Sequence, residues 1–253
     1  MLAARDLGKS FGGLTALHNV SFDVVKGQIK AVIGPNGAGK TTLFNLIAGT
    51  LRPSAGTITL DGKTISGLSA SAIGASGIAR TFQQPQVFRS LSVAENVMLG
   101  GHRFNKAGFI ACGLGLSFTR REEEDLHATA SKWLDFVGLA EFSSRTASEL
   151  SLGQQRYVEI ARAMATGAKV ILMDEPAAGL DDTETRQLGD LVRQIRATGV
   201  TVLIIDHHMD FIMSIADSIL VLNFGEWLAE GTPEEIVGSE TVINAYLGSV
   251  EDA

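Results

Sequence analysis

The residues with the clearest chemistry lie together in 34–41, which reads Gly-Pro-Asn-Gly-Ala-Gly-Lys-Thr. This spacing fits G-x-x-x-x-G-K-S/T at every fixed position. Triphosphate oxygens must be met by backbone N–H groups that point inward, and so tight a bend needs glycines, which reach positive φ and carry no Cβ. Lys40 can reach the β- and γ-phosphates, and the Thr41 hydroxyl can ligate Mg²⁺. The stretch predicts a nucleoside triphosphate site.

The flanking sequence supplies the elements that such a loop needs. Residues 29–33 (IKAVI) are a short apolar run, as in a buried strand. After the loop, Leu43, Phe44 and Ile47 can share the buried side of a helix that Gly49 ends. The N-terminus of that helix places a partial positive charge beneath the phosphates. Strand, glycine loop and helix in this order favour a phosphate-binding loop over an ordinary glycine-rich turn.

Two further apolar runs end in polar residues that can do chemistry. Residues 170–175 read Val-Ile-Leu-Met-Asp-Glu, a buried strand that ends in Asp174 and Glu175. In an open α/β sheet the carboxyl ends of strands bind ligands. Asp174 can hold Mg²⁺ through water, and Glu175 can orient or deprotonate an attacking water. Residues 200–205 predict a parallel buried strand, after which His207 would face the same crevice.

Three weaker signals each have an alternative explanation. Ser151 and Gly153 lie just before a helix that is expected within 150–165, and they can form an anion site, although an N-cap serine would also account for Ser151. Gln83, before Pro85, is a neutral ligand for Mg²⁺ or water, although a glutamine on a surface loop is commoner. Phe11 can stack on a nucleotide base or simply pack.

Composition limits the class of protein. The 253 residues, 45% apolar and 19% charged, indicate a globular chain with a full core. The net charge of −7 argues against a nucleic-acid surface. The single cysteine, Cys112, fits a reducing compartment. The first residues lack the apolar region of a signal peptide, and 107–118 is too short to span a bilayer. We expect a soluble chain whose membrane role, if any, needs a partner.

The rest of the chain predicts one domain, 1–253, with a helical subdomain over about 91–165. The N-terminal part is β-rich, with alternation over 20–24 and a hairpin at Asp61-Gly62. A second hairpin is expected around Gly225-Glu226. Thr232 begins a capping box with Pro at N1, which starts the C-terminal helices of 232–253.

With these residues in place, the sequence resembles the ATP-binding subunits of ABC transporters. Leu150-Ser151-Leu152-Gly153-Gln154 is similar to the signature L-S-G-G-Q and departs from it only at Leu152. The resemblance runs from Phe11 to the C-terminal helices. It implies an α/β P-loop NTPase with a RecA-like core, an N-terminal antiparallel β subdomain and an inserted helical subdomain.

The resemblance also assigns roles residue by residue. It implies that Glu175 is catalytic, His207 is the switch histidine at the γ-phosphate, and Gln83 is the Q-loop glutamine. Asp174 matches the Walker B aspartate, so Mg²⁺ would be held by Thr41, Gln83 and Asp174. The implied ATP-binding residues are Phe11, Gly34, Asn36, Gly37, Gly39, Lys40, Thr41, Thr42, Ser151, Gly153, Gln154 and Asp181.

Within the family, four features resemble the branched-chain amino acid importers: 80–83 (RTFQ), 174–180 (DEPAAGL), the insertion over 100–125 and the C-terminal ending. The resemblance implies a head-to-tail pair of ATPase subunits, identical or not, at the cytoplasmic face of the inner membrane. It further implies permease subunits and an external solute-binding protein, and no nucleic acid. Importers of urea or short amides share these features.

Other classes are less well supported. A soluble ABC-type ATPase usually carries long coiled coils or two cassettes, and this sequence shows neither. A GTPase needs the guanine-binding motif N-K-x-D, which the sequence lacks. A P-loop kinase does not need the pattern Ser151-x-Gly153-Gln154. A passive nucleotide-binding regulator remains an alternative.

Overall fold

The computed structural model describes residues 1–101 and 117–251. Two compact units are formed, one by Met1–Gln83 with Lys169–Ala253 and the other by Gln84–Ala168. The sequence leaves segment 104–120 without a role. Most of it, including Cys112, lies outside the described residues.

The described strands are β1 (Leu2–Phe11), β2 (Leu14–Val24), β3 (Ile29–Ile33), β4 (Ala55–Leu60), β5 (Lys63–Thr64), β6 (Ile78–Thr81), β7 (Val170–Asp174), β8 (Thr201–Ile205), β9 (Ser218–Asn223) and β10 (Glu226–Gly231). The described α-helices are α1 (Lys40–Ile47), α2 (Ala70–Ser76), α3 (Val93–Gly101), α4 (Ser117–Phe136), α5 (Leu152–Ala165), α6 (Asp182–Ala197), α7 (Met209–Ile215), α8 (Pro233–Val237) and α9 (Glu240–Glu251).

The first unit contains an antiparallel sheet in the order β2-β1-β4-β5. In β2, Val20, Phe22 and Val24 are buried while Asp23 between them is exposed, as the alternation predicts. Asp61 and Gly62 form the turn between β4 and β5, and both have positive φ. The predicted hairpin is therefore confirmed.

The second sheet of this unit has the order β10-β9-β3-β8-β7-β6. All its pairings are parallel except the β9–β10 hairpin. Strands β3, β7 and β8 are buried at every residue, which explains why they read as continuous apolar runs. Parallel pairing brings their carboxyl ends to one edge, as expected. The turn of the second hairpin is at Phe224-Gly225, one residue earlier than predicted.

One hydrophobic core joins both sheets of this unit to α1. It includes Leu7, Val20, Ile58, Val32, Leu203, Leu220, Phe44 and Ile47. Leu43, Phe44 and Ile47 are fully buried, so the helical face predicted after the glycine loop is correct. Packing on both sides of α1 fixes the direction of its N-terminus, which begins at Lys40.

The second unit is helical. Leu126, Ala130 and Leu134 are buried on one face of α4. Helix α3 packs tightly against α5: a Cβ built on Gly100 would lie 2.2 Å from the Arg162 carbonyl oxygen. Helix α5 is largely buried, and its buried residues include the charged Arg156 and Glu159.

Candidate active site

The loop between β3 and α1 adopts a conformation that only glycine allows. Gly34, Gly37 and Gly39 have φ of 149°, 80° and 94°. A Cβ on Gly34 would lie 2.1 Å from the Leu222 carbonyl oxygen, and one on Gly39 would lie 2.6 Å from that of Ala16. Positive φ favours glycine at all three positions, and backbone crowding requires it at Gly34 and Gly39 as well.

Lys40, the first residue of α1, is folded over this loop and is only 6% exposed. Its Nζ donates to the carbonyl oxygens of Gly34 (2.6 Å) and Pro35 (2.9 Å). Burial lowers the pKa of Lys40, and the nearby charge of Glu175 opposes this effect. The lysine is thus held at the loop before any phosphate arrives.

A cavity of about 290 Å³ opens beside the loop. It is lined by Leu14, Thr15, Ala16, Asn36, Gly37, Ala38, Gly39, Lys40, Thr41, Thr42, Glu175 and His207. Most of the predicted nucleotide-binding residues of this unit are therefore brought together. The contribution of β2, through residues 14–16, was missed, because nothing local in that strand indicates that it reaches the loop.

Glu175 directly follows β7, and the other two predicted catalytic side chains both contact its carboxylate. Gln83 Nε2 donates to Glu175 Oε2 (2.6 Å), and His207 Nε2 lies 2.8 Å from Glu175 Oε1. The Glu175 backbone has φ of 47°, and its N–H donates to the Ile205 carbonyl oxygen. Such left-handed backbone at a non-glycine residue is stored strain of the kind found at functional sites.

The loop after β8 is fixed by a buried carboxylate. Asp206 is 2% exposed and accepts from the Ala177 N–H (2.8 Å) and the His208 N–H (3.0 Å). His208 Nδ1 also lies 2.7 Å from Asp206, so the two histidines point to different acids. His207 alone is directed to Glu175.

Asp174 ends β7, and its carboxylate is largely buried. Arg80 Nη2 donates to Asp174 Oδ2 at 2.7 Å. Arg80 has no role in the sequence-based assignment. The available signal was the run Arg80-Thr81-Phe82-Gln83, in which only the glutamine was given a role.

Other predicted site residues lie outside the cavity lining. Phe11 is 45% exposed, and Lys9 Nζ lies 4.9 Å from its ring centroid. Asp181 caps α6, where its Oδ1 accepts from the Thr183 and Glu184 N–H groups. The nucleotide-binding roles of Phe11 and Asp181 stay predictions.

In the helical unit, Ser151 is the N-cap of α5. Its Oγ accepts from the Gln154 N–H (3.2 Å), and Gln154 Oε1 accepts from the Ser151 N–H (3.0 Å). The N-cap interpretation of Ser151 is thus correct as a description of the structure. Gly153 was expected before the helix, but it lies in the first turn, because α5 begins at Leu152.

Tyr246 of α9 is a contact to the loop that sequence reasoning missed. Burial raises the pKa of its phenol, and a hydrogen bond with the Gly34 backbone opposes that effect. In the sequence, Tyr246 is only one residue of the C-terminal ending and has no assigned role.

The geometry is that of a site for a nucleoside triphosphate, and comparison with known proteins agrees. The family model described as ABC transporter matches residues 17–178, well over half of the chain. The chain belongs to the ABC transporter family. A second model, described as branched-chain amino acid ATP-binding cassette transporter, matches residues 228–252, which include Tyr246.

Individual relatives cover nearly the whole cassette. The high-affinity branched-chain amino acid transport ATP-binding protein BraF of Pseudomonas aeruginosa is 43% identical to it, over 98% of both chains. A crystal structure of the ADP conformation of an ABC transporter cassette has 34% identity and a TM-score of 0.85, over 98% of both chains. A dimeric cassette in a post-hydrolysis state, bound to ADP and Pi, has 26% identity and a TM-score of 0.77, over 92% of this chain and 99% of that one.

The cassette therefore has the ABC ATPase fold, and it binds and hydrolyses ATP. The loop geometry fits this activity, because a buried lysine and glycine-framed N–H groups suit a polyphosphate. Across the helices that the structure describes, none is both long and apolar enough to cross a membrane.

Proposed function

We propose that this chain is the ATP-hydrolysing subunit of an importer of branched-chain amino acids. The observation that carries the proposal is its similarity to BraF over 98% of both chains, together with the match of its C-terminal residues to the branched-chain model. Importers of urea or short amides are the main alternative for the solute, because they share the same sequence features.

In the proposed mechanism, ATP lies along the loop, with its phosphates against the N-terminus of α1. Lys40 exchanges the carbonyls of Gly34 and Pro35 for phosphate oxygens and offsets their charge. The chemistry of Thr41, Gln83 and Asp174 fits Mg²⁺, since hydroxyl, amide and carboxylate oxygens are the ligands that it prefers. When bound, Mg²⁺ supplies neutralisation of charge on the β- and γ-phosphates.

Glu175 is proposed to orient and deprotonate the attacking water. Gln83 and His207 hold one carboxylate oxygen each, so the direction of the carboxylate is fixed by two other loops. His207 then also lies within the cavity, where it can contact the γ-phosphate. This arrangement joins water activation and phosphate sensing in one hydrogen-bonded group.

Two such subunits are proposed to pair head to tail. Ser151 and Gly153 of one copy would meet the ATP that is bound to the loop of the other, where the N-terminus of α5 suits phosphate charge. The similarity to a dimeric cassette bound to ADP and Pi supports this arrangement. ATP binding closes the pair, and hydrolysis opens it again.

The pair is proposed to act on permease subunits at the cytoplasmic face of the inner membrane, with an external protein that delivers the solute. Nucleic acid has no part in this proposal. The alternative from another class is an ABC-type ATPase that is not coupled to transport.

Purification of the tagged chain from its native membranes in mild detergent tests the proposal. We expect two proteins with many membrane spans to co-purify, with or without a second ATPase. Recovery of the chain alone, or with nucleic acid, would instead favour the uncoupled ATPase.

A further inference from the structure

Arg80 is a nearly buried cation beside the proposed metal site. Its side chain is 11% exposed, and that of Asp174 is 12% exposed. Arg80 lies on β6 opposite Leu172 of β7, two residues before Asp174. An arginine in such surroundings is seldom left without a partner of opposite charge.

The guanidinium joins two elements of the nucleotide site. Nη2 donates to Asp174 Oδ2 (2.7 Å), and Nη1 donates to Asn45 Oδ1 (2.6 Å). Asn45 lies four residues after Thr41 on α1, which places both on one face of that helix. Arg80 therefore ties the Walker B strand to the helix that carries the proposed metal-binding hydroxyl.

The same short segment makes a second, parallel contact. Gln83, three residues after Arg80, donates to Glu175, which follows Asp174 directly. Segment 80–83 thus holds two neighbouring acids through two different side chains. The Arg80 guanidinium also lies 5.2 Å from the ring centroid of Phe82, which limits its movement further.

We propose that Arg80 is a positioning residue for Asp174, which it holds in the orientation that binds the metal. This inference rests on the proposed function, in which Asp174 helps to hold Mg²⁺. Arg80 donates to Oδ2, so the other carboxylate oxygen of Asp174 would be the one available to a metal ion. The planar guanidinium is suited to this task, because it donates to Asp174 and Asn45 at the same time with fixed geometry.

Arg80→Met tests the proposal, because it keeps the apolar stem of the side chain and removes both donors. The measurement is the rise in unfolding temperature caused by a non-hydrolysable ATP analogue, recorded while Mg²⁺ is titrated from zero. We expect the half-saturating Mg²⁺ concentration to increase about ten-fold, as is typical when a partner of a metal ligand is removed. Affinity for the analogue in EDTA should change less than about two-fold, since Lys40 and the loop remain intact.

Two controls separate positioning from general damage. Arg5→Met removes an arginine from the exposed pair with Asp23 and should leave the Mg²⁺ dependence unchanged. In an Asp174→Asn background, Arg80→Met should no longer shift the Mg²⁺ dependence, because the residue through which it acts is gone. Arg80→Lys is the alternative if Arg80→Met folds poorly, because lysine keeps the positive charge but lacks the planar guanidinium. It should give an intermediate shift in the half-saturating Mg²⁺ concentration.

The proposal is overturned if Arg80→Met leaves the half-saturating Mg²⁺ concentration within two-fold of the native value, or lowers it. A lower value would mean that Arg80 only repels the cation. It is also overturned if the shift persists in full with Asp174→Asn. A native chain whose response to the analogue does not depend on Mg²⁺ would instead refute the metal role itself, and the positioning role with it.

Discussion

At the scale of single residues, hydrolysis is proposed to depend on the Glu175 carboxylate, whose two oxygens lie at hydrogen-bond distance from Gln83 and His207. Glu175→Gln keeps the size of the side chain and removes the base. We expect ATP turnover to fall by roughly 10² to 10⁴, the usual contribution of a general base. Binding of ATP, measured by equilibrium titration, should remain. Turnover at the native rate would show that another group activates the water.

At Lys40, a substitution should affect ATP affinity and protein stability differently. Burial lowers the pKa of the Lys40 ammonium group, which means that burying the charged form costs free energy of folding. Lys40→Met should therefore leave the unfolding temperature unchanged or raise it slightly. ATP affinity should weaken about ten- to a hundred-fold, because a charged hydrogen bond is lost. Normal ATP affinity in this variant would contradict the role given to the loop.

At the scale of elements, the α3–α5 contact depends on a glycine. A Cβ at Gly100 would meet the Arg162 carbonyl at 2.2 Å, so Gly100→Ala should lower the free energy of unfolding by about 1–3 kcal/mol. Gly74→Ala on α2 is the matched control, since no atom lies within 4 Å of its added Cβ. That control should be neutral or slightly stabilising. Equal urea midpoints for the two variants would refute the close-contact argument.

The β4–β5 turn contains an ion pair whose contribution to stability should depend on pH. The hydrogen bond from Lys169 (2.6 Å) lowers the pKa of Asp61. A carboxylate whose pKa is lower in the folded state contributes stability above its unfolded pKa of about 3.9, and this is lost as the pH falls through the folded pKa. The pair is exposed, so the contribution is less than about 1 kcal/mol.

Asp61→Asn keeps a residue type that tolerates the observed φ of 50°. We expect it to be slightly less stable than the native chain at pH 7, and the difference should vanish as the pH falls through the lowered folded pKa of Asp61. Urea unfolding across this pH range measures the difference. A difference that stays constant with pH would mean that the ion pair has no part in it.

A feature could be predicted from the sequence when the residues that form it lie close together in the chain. The glycine loop, the buried strands and the capping box at Thr232 follow from neighbouring residues, and the structure contains them. The sequence predicts an extended segment that ends at the glutamines before Pro85, but it does not predict that strand β6 begins as early as Ile78, because residues 66–80 are rich in Ser, Ala and Gly. Arg80 and Tyr246 were missed because their partners are 94 and 212 residues away in the chain.

At the scale of the whole molecule, the two units carry different parts of the proposed chemistry. The unit of both sheets holds the loop, Glu175 and His207, whereas the helical unit holds Ser151 and Gly153. In the proposed function, two copies paired head to tail would bring both sets of residues to one ATP. The central claim is that hydrolysis at Glu175 drives solute import through such a pair.

Uptake by the purified assembly in liposomes tests this claim most directly. The native chain, with its co-purified membrane subunits and binding protein, should accumulate radiolabelled leucine when ATP is supplied on the cassette side. The same assembly with Glu175→Gln should bind ATP but lose uptake together with turnover. Leucine uptake that continues in that variant, or ATP turnover in the native assembly without uptake of leucine, isoleucine or valine, would contradict the account.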